Sequence, residues 1–316
     1  METQTSVGTT RRPGVLGVHS IAEFGLVVPD LGEAARFYGA FGLDVRAAGS
    51  RLELAVDGSA SAVGVLTEGP RKVLSHLAFA TFEDDLVRFE RLVEQRGLAR
   101  LSDPEGGDAL WIADPNGLPV CLRTGAKTTP DVKVPLRTGP TPPNRMSAPI
   151  RGTTPPVKPA RLSHLALFTP DLEASIRFYC EVLGLRLSDR SAFIAFLHAP
   201  HGGDHHLIAL VQSNGPGLHH CSWAVPSIDA LGLGAVQAAE AGYTRGWGLG
   251  RHVLGSNYFH YVRDPWGSYS EYSADIDYIA ADFDWEARVH APENSFFLWG
   301  PVPPEDFVTN FETINT

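Results

Sequence analysis

Hydrophobic and polar positions alternate along the chain in two distinct rhythms. In TPDLEASIRFYCEVLGL, residues 169–185, Leu172, Ile176, Tyr179 and Leu183 recur at helical spacing. Asp171 stands where a side chain caps a helix start, and Gly184 falls just past the end of the periodicity. AFIAFLHA (192–199) and HHLIALVQ (205–212) then read as strands. A second unit opens at Leu218 with a strand, a helix over about 227–241, and strands around 256–262 and 269–274. The pattern predicts strand-helix-strand-strand-strand, written twice.

The first half of the chain carries the same plan. VPDLGEAARFYGAFGL at 28–43 repeats as the 169–185 segment, with Asp30 on Asp171 and Phe37-Tyr38 on Phe178-Tyr179. SHLAFAT (75–81) matches HHCSWAV (219–225), placing His76 on His220, and ADPNGLPV (113–120) matches RDPWGSYS (263–270). The offset grows from 141 to 150, as small loop insertions make it do. Between the copies, residues 126–160 hold nine prolines, six Lys/Arg and one acid, Asp131. This is the composition of an extended connector, basic enough to lie across an acidic body.

Composition narrows the chemistry. A net charge of −10 repels phosphate backbones and argues against nucleic acid as a partner. No apolar run reaches the roughly 18 residues that a membrane span needs, and no signal-peptide core precedes the first unit. Cys121, Cys180 and Cys221 form no CxxC pair and no disulfide framework, so a reducing cytoplasm is the expected setting. Nine of the twelve histidines lie between His164 and His260, which points metal or acid-base chemistry at the second half.

Within that half, His164 sits in the first strand, His220 in the strand opening the second unit, and Glu271 in the last strand. Two histidines and a carboxylate can occupy one face of an octahedral ion and leave three positions open, an arrangement suited to non-haem Fe(II) and O₂. A lone strand histidine is more often a hydrogen-bonded core residue, but the repeat supplies an internal control. The equivalent places in the first half hold Glu23, His76 and Cys121, which is no recognisable iron site. His219 and His220 are adjacent, and neighbours on a strand face opposite ways. The match to His76 gives the ligand slot to His220 and turns His219 away.

GRHVLGSNYFHYVRDPWGSYSEY, residues 250–272, resembles the signature of the type I extradiol catechol dioxygenases of the vicinal oxygen chelate superfamily, and the resemblance runs over nearly the whole chain. It implies an α+β fold of two vicinal-oxygen-chelate domains, each of two βαβββ modules forming a curved, open, barrel-like sheet. The expected division is an N-terminal tail (1–15), an N-terminal domain without a metal site (16–125), the Pro-rich linker (126–160), a C-terminal catalytic domain (161–280) and a tail or lid (281–316). The implied ligands are His164, His220 and Glu271, holding Fe(II) or less often Mn(II). His206 matches the active-site acid/base histidine, Tyr261 a tyrosine bonding substrate and oxygen intermediates, and His252 a histidine supporting the substrate's ring oxygens. The implied reaction inserts both atoms of O₂ into a catechol beside its two hydroxyls, in a homo-oligomeric enzyme. Phe196 is expected in the pocket wall. In the tail, VHAPENSFFLWGPVPP (289–304) resembles a segment that folds over the pocket and carries basic residues for a substrate carboxylate. Here Ser295, Phe296 and Phe297 stand nearest, so an apolar or uncharged substituent is expected, and Arg251 and Arg288 are the basic residues left to serve a charged one. A glyoxalase-type isomerase, a hydrolase and a small-molecule binding protein of the same superfamily are the rival readings.

Overall fold

A computed structural model describes residues 9–104, 106–107, 109–137 and 143–314. The expected N-terminal tail and Pro-rich linker therefore lie partly outside the described residues. The first half contains β1 (Ser20–Val28), α1 (Leu31–Ala40), β2 (Asp44–Ala48), β3 (Arg51–Ala55) and β4 (Gly64–Glu68), then β5 (Val73–Thr81), α2 (Glu83–Gln95), β6 (Arg100–Leu101), β7 (Leu110–Ala113) and β8 (Pro119–Thr124). The second half repeats it with β9 (Arg161–Thr169), α3 (Leu172–Glu181), β10 (Arg186–Arg190), β11 (Ile194–His198), the short β12 (Gly203–Asp204) and β13 (Ile208–Gln212). There follow β14 (Gly217–Ala224), α4 (Ile228–Glu240), β15 (Gly246–His252), β16 (Tyr258–Arg263), β17 (Tyr269–Ala274), β18 (Tyr278–Ile279), β19 (Arg288–Val289), β20 (Phe297–Trp299) and α5 (Phe311–Ile314).

The strand orders show the repeat directly. One sheet runs β2-β3-β4-β1-β5-β8-β7-β6, and the other has β10-β11-β13-β9-β14-β17-β16-β15 at its centre. Each is two four-stranded modules joined where their first strands run antiparallel, β1 on β5 and β9 on β14. This is the α+β class expected. The local reasons are also those of the sequence. Asp30 and Asp171 accept from the backbone N–H groups of Glu33 (2.8 Å) and Ala174 (2.9 Å), capping α1 and α3. Gly184 turns the chain after α3 with φ +72°, where a Cβ would run into the Leu16 carbonyl.

The halves share a core. Phe24 meets Trp223 edge-on at 6.3 Å and Phe79 meets Tyr179 at 6.4 Å, all four rings buried. The connector is pinned to both halves by ion pairs, Lys133 to Asp275 (2.9 Å) and Lys158 to Asp57 (2.6 Å). Residues beyond 280 are not only a cover. β19 adds to the β10 edge of the sheet and β20 to its β15 edge. The Glu312 carboxylate accepts from the backbone N–H groups of Leu74 and Leu218, both at 2.9 Å, with the Lys72 ammonium at 3.3 Å. One side chain from the C-terminal end thus holds a strand of each half. Among the described residues no helix is long and apolar enough to cross a membrane.

Candidate active site

β9, β14 and β17 lie side by side, and Ser222 stands across from His164 on one flank and Glu271 on the other. His220, two residues before Ser222, shares its face. The three side chains converge in the interior: Nε2 of His220 is 3.2 Å from Nε2 of His164, and Oε2 of Glu271 is 3.3 Å from His164 Nε2 and 3.5 Å from His220 Nε2. Glu271 is fully buried; Asn257 donates to its Oε1 at 3.1 Å, whereas Oε2 has no hydrogen-bond donor. An orphaned carboxylate oxygen in the interior is costly. Cis donors about 2.1 Å from one octahedral ion lie about 3.0 Å apart, close to the edges of this triangle. The residues present fit a divalent metal, which would supply the charge that Glu271 lacks.

The rings behind these ligands carry the protons that such a role requires. Burial holds His219 at about 4, so its ring is neutral, and it forms a hydrogen bond to the Phe307 backbone. A carbonyl can only accept, so the remaining ring nitrogen of His219 accepts from His220 Nδ1–H at 2.7 Å. That leaves the His220 Nε2 lone pair for an ion. His219 therefore does not turn to the opposite face, as simple alternation predicts. Leu218 pairs with Leu167 and His220 with Ala166, so His219 is the extra residue of a β-bulge and lies on the same cavity as His220.

That cavity, of about 290 Å³, opens over the triangle. His206 lines it, its ring 4.0 Å from that of His164 and 4.9 Å from that of Phe196. Burial, reinforced by the neighbouring His164, His205 and His220, pushes His206 well below the usual histidine value and favours a neutral ring. His252 bonds the Phe296 carbonyl through Nδ1 and the Tyr261 hydroxyl through Nε2, both at 2.9 Å. Burial, with Glu271 nearby, raises Tyr261 well above the ordinary phenol range, so it keeps its proton and donates to His252. Ile194, Val211, Leu254, Phe296 and Phe307 supply the apolar walls.

Not every expected residue arrives. Arg251 is absent from the lining: its guanidinium lies over the Tyr258 ring at 4.6 Å and Nε donates to the Ser256 carbonyl. It precedes His252 on β15, and alternation sends the two to opposite faces. Arg288 is exposed and pairs with Glu286 at 3.3 Å. Ser295 and Phe296 reach the cavity, while Phe297 packs on Trp247 at 5.5 Å. Asn257, His219 and Phe307 were not foreseen; only the bulged histidine doublet offered a signal. In the first half, Glu23 Oε1 meets His76 Nε2 at 3.1 Å, and Arg123 approaches Oε2 at 3.3 Å, so a guanidinium already neutralises the acid there.

Residues 161–272 match the Glyoxalase/Bleomycin resistance protein/Dioxygenase superfamily. Over 299 residues, 93% of either chain, the protein is 49% identical to Metapyrocatechase 2 of Cupriavidus necator. Its fold superposes on homoprotocatechuate 2,3-dioxygenase from Brevibacterium fuscum with a TM-score of 0.74, at 22% identity, covering 95% of this chain and 94% of that one. It also superposes on a Mn(II)-bound glyoxalase from Novosphingobium aromaticivorans with a TM-score of 0.69, at 26% identity, covering 90% and 93%. The fold is thus shared with a dioxygenase and a glyoxalase, whereas the near half-identity along almost the full length is to Metapyrocatechase 2. The chain belongs to the type I extradiol dioxygenases of this superfamily.

Proposed function

We propose that this protein is an Fe(II)-dependent extradiol dioxygenase that opens catechols bearing an apolar or uncharged substituent. The observation that carries the reading is the His164–His220–Glu271 triangle with its orphaned carboxylate oxygen, facing a cavity whose lining contains no lysine, arginine or further acid. Fe(II), when bound, would supply a redox-active centre able to pass charge between a catechol and O₂; Mn(II) suits the same donors. His164, His220 and Glu271 would hold the ion, beside the cavity that His164 and His220 line.

The remaining side chains handle protons and orientation. A neutral His206 takes a catechol proton on its bare ring nitrogen and later returns it. His252, held by the Phe296 carbonyl, accepts from the Tyr261 hydroxyl and keeps the phenol oxygen at the cavity, where its lone pair can accept from a catechol hydroxyl. Ile194, Phe196, Val211 and Phe296 exclude water and favour an alkyl or aryl group over a carboxylate.

Anaerobic purification with metal analysis, followed by oxygen uptake on a panel of catechols, tests the reading. About one Fe(II) per chain and ring cleavage beside the hydroxyl pair are expected. A chain that binds no Fe or Mn, or that consumes no oxygen with any catechol after reconstitution, overturns it.

A further inference from the structure

We infer that His205 and Asp189 are positioning residues that fix which nitrogen of His206 carries a proton and so present its Nε2 lone pair to the cavity. The inference rests on the proposed role of His206 as the base.

The argument starts at Asp189, on β10 and nearly buried. Its Oδ2 lies 2.9 Å from His205 Nε2 and 3.3 Å from Trp285 Nε1; its Oδ1 lies 2.7 Å from His290 Nε2 and 3.2 Å from the Arg288 backbone nitrogen. Burial opposes the charge on Asp189, and the bonds from His205 and His290 outweigh burial and hold it ionised. An ionised carboxylate has no proton to give, so His205 Nε2 must donate to it. In the arrangement we infer, the hydrogen given to Asp189 is the one His205 carries, and its Nδ1 is the acceptor. That atom faces His206 Nδ1 at 3.2 Å, so His206 Nδ1–H is the donor.

The consequence falls on the other side of the His206 ring. With its proton at Nδ1, the ring offers Nε2 as an acceptor, and His206 lines the cavity while His205 does not. In the opposite tautomer Nε2 carries a hydrogen and cannot take a catechol proton. When His206 becomes an imidazolium, the Asp189 charge stands one ring behind it, relayed through His205. His205 itself is 1% exposed and touches Phe196 at 5.9 Å and Trp285 at 5.4 Å, so its ring has little freedom to swing.

A purely structural pair would only pin the 285–290 segment to β10, and the test separates the two. Long-range proton–nitrogen spectra of the full chain, labelled with ¹⁵N-histidine and loaded with diamagnetic Zn(II), read the tautomer independently of turnover. The expected result is a protonated Nδ1 and a bare Nε2 on His206. In His205→Leu that signature disappears, and the iron-loaded enzyme loses at least about tenfold in kcat with KM within about threefold of wild type. His205→Gln, whose amide can accept from His206 and donate to Asp189, recovers most of the loss. A wild-type His206 protonated at Nε2, an undiminished kcat in His205→Leu, or a His205→Gln as poor as His205→Leu overturns the inference. Should His205→Leu fail to fold, the wild-type spectra and the same measurement on Asp189→Asn still decide it. If no catechol is cleaved by the wild type, the proposed function fails, whereas the spectra still report the tautomer.

Discussion

Tyr272 lies flat on Phe41, their ring centroids 3.9 Å apart and the planes 8° from parallel, and its hydroxyl donates to the Phe41 carbonyl at 2.7 Å. Glu271 is its neighbour on β17 and faces the opposite way. One strand therefore carries a candidate metal ligand on one face and the seam between the halves on the other.

This seam can be measured. Tyr272→Ala removes a fully buried ring and is expected to cost about 3–5 kcal/mol. Tyr272→Phe keeps the stack and loses one hydrogen bond, at about 1 kcal/mol. Urea unfolding of the three proteins gives both numbers, and equal losses in the two variants would deny the stack its weight.

Glu271→Gln tests the ligand set. The amide keeps the shape and removes the anionic oxygen, so metal content is expected to fall by about tenfold or more. Turnover should fall at least about a hundredfold while the far-ultraviolet spectrum is retained. Metal analysis beside oxygen uptake checks it. Wild-type protein stripped by a chelator should lose activity to the same degree and regain it with Fe(II).

Substituent preference follows from the walls. A carboxylated catechol must bury its charge among Ile194, Phe196, Val211 and Phe296 with no cation in the lining. Its kcat/KM is expected to lie at least about tenfold below that of an alkyl-catechol. Competition between the two in one reaction reads the ratio directly, and a ratio favouring the acid would refute the assignment.

Acid lability has a histidine component. Burial pushes His198 down to about 3 and His19 and His201 to about 4, against about 6.5 in an unfolded chain. Above that unfolded value neither state binds the proton and stability does not change on their account. Between about 6.5 and 4 the unfolded chain takes up protons that the folded chain refuses. Stability then falls on acidification, by about 1.4 kcal/mol per pH unit for each group. Urea midpoints at about pH 7.5, 6 and 5 should decline in that order; a constant midpoint would show that these rings protonate in place.

Much of this molecule is legible in its sequence because the plan is written twice. Asp30 and Asp171 identify themselves as caps by recurring, and His164, His220 and Glu271 stand out as a set because the same places in the first half keep only one histidine, His76, beside Glu23 and Cys121. What was not legible depends on registers that periodicity does not encode. Alternation puts His219 on the wrong face because a single inserted residue bulges the strand there. Arg251 looked available for substrate because a motif places it beside His252, yet a β-strand separates neighbours. Phe307 and Asn257 reach the cavity through long-range packing, which no local pattern reports.

The pairing of Arg123 with Glu23 has a last consequence. Glu23 has its counter-cation inside the covalent chain, whereas the proposed metal site would take the counter-cation of Glu271 from solution. On the proposed reading, charge balance at Glu23 is settled at translation, and Glu271 is the acid that answers to the supply of metal.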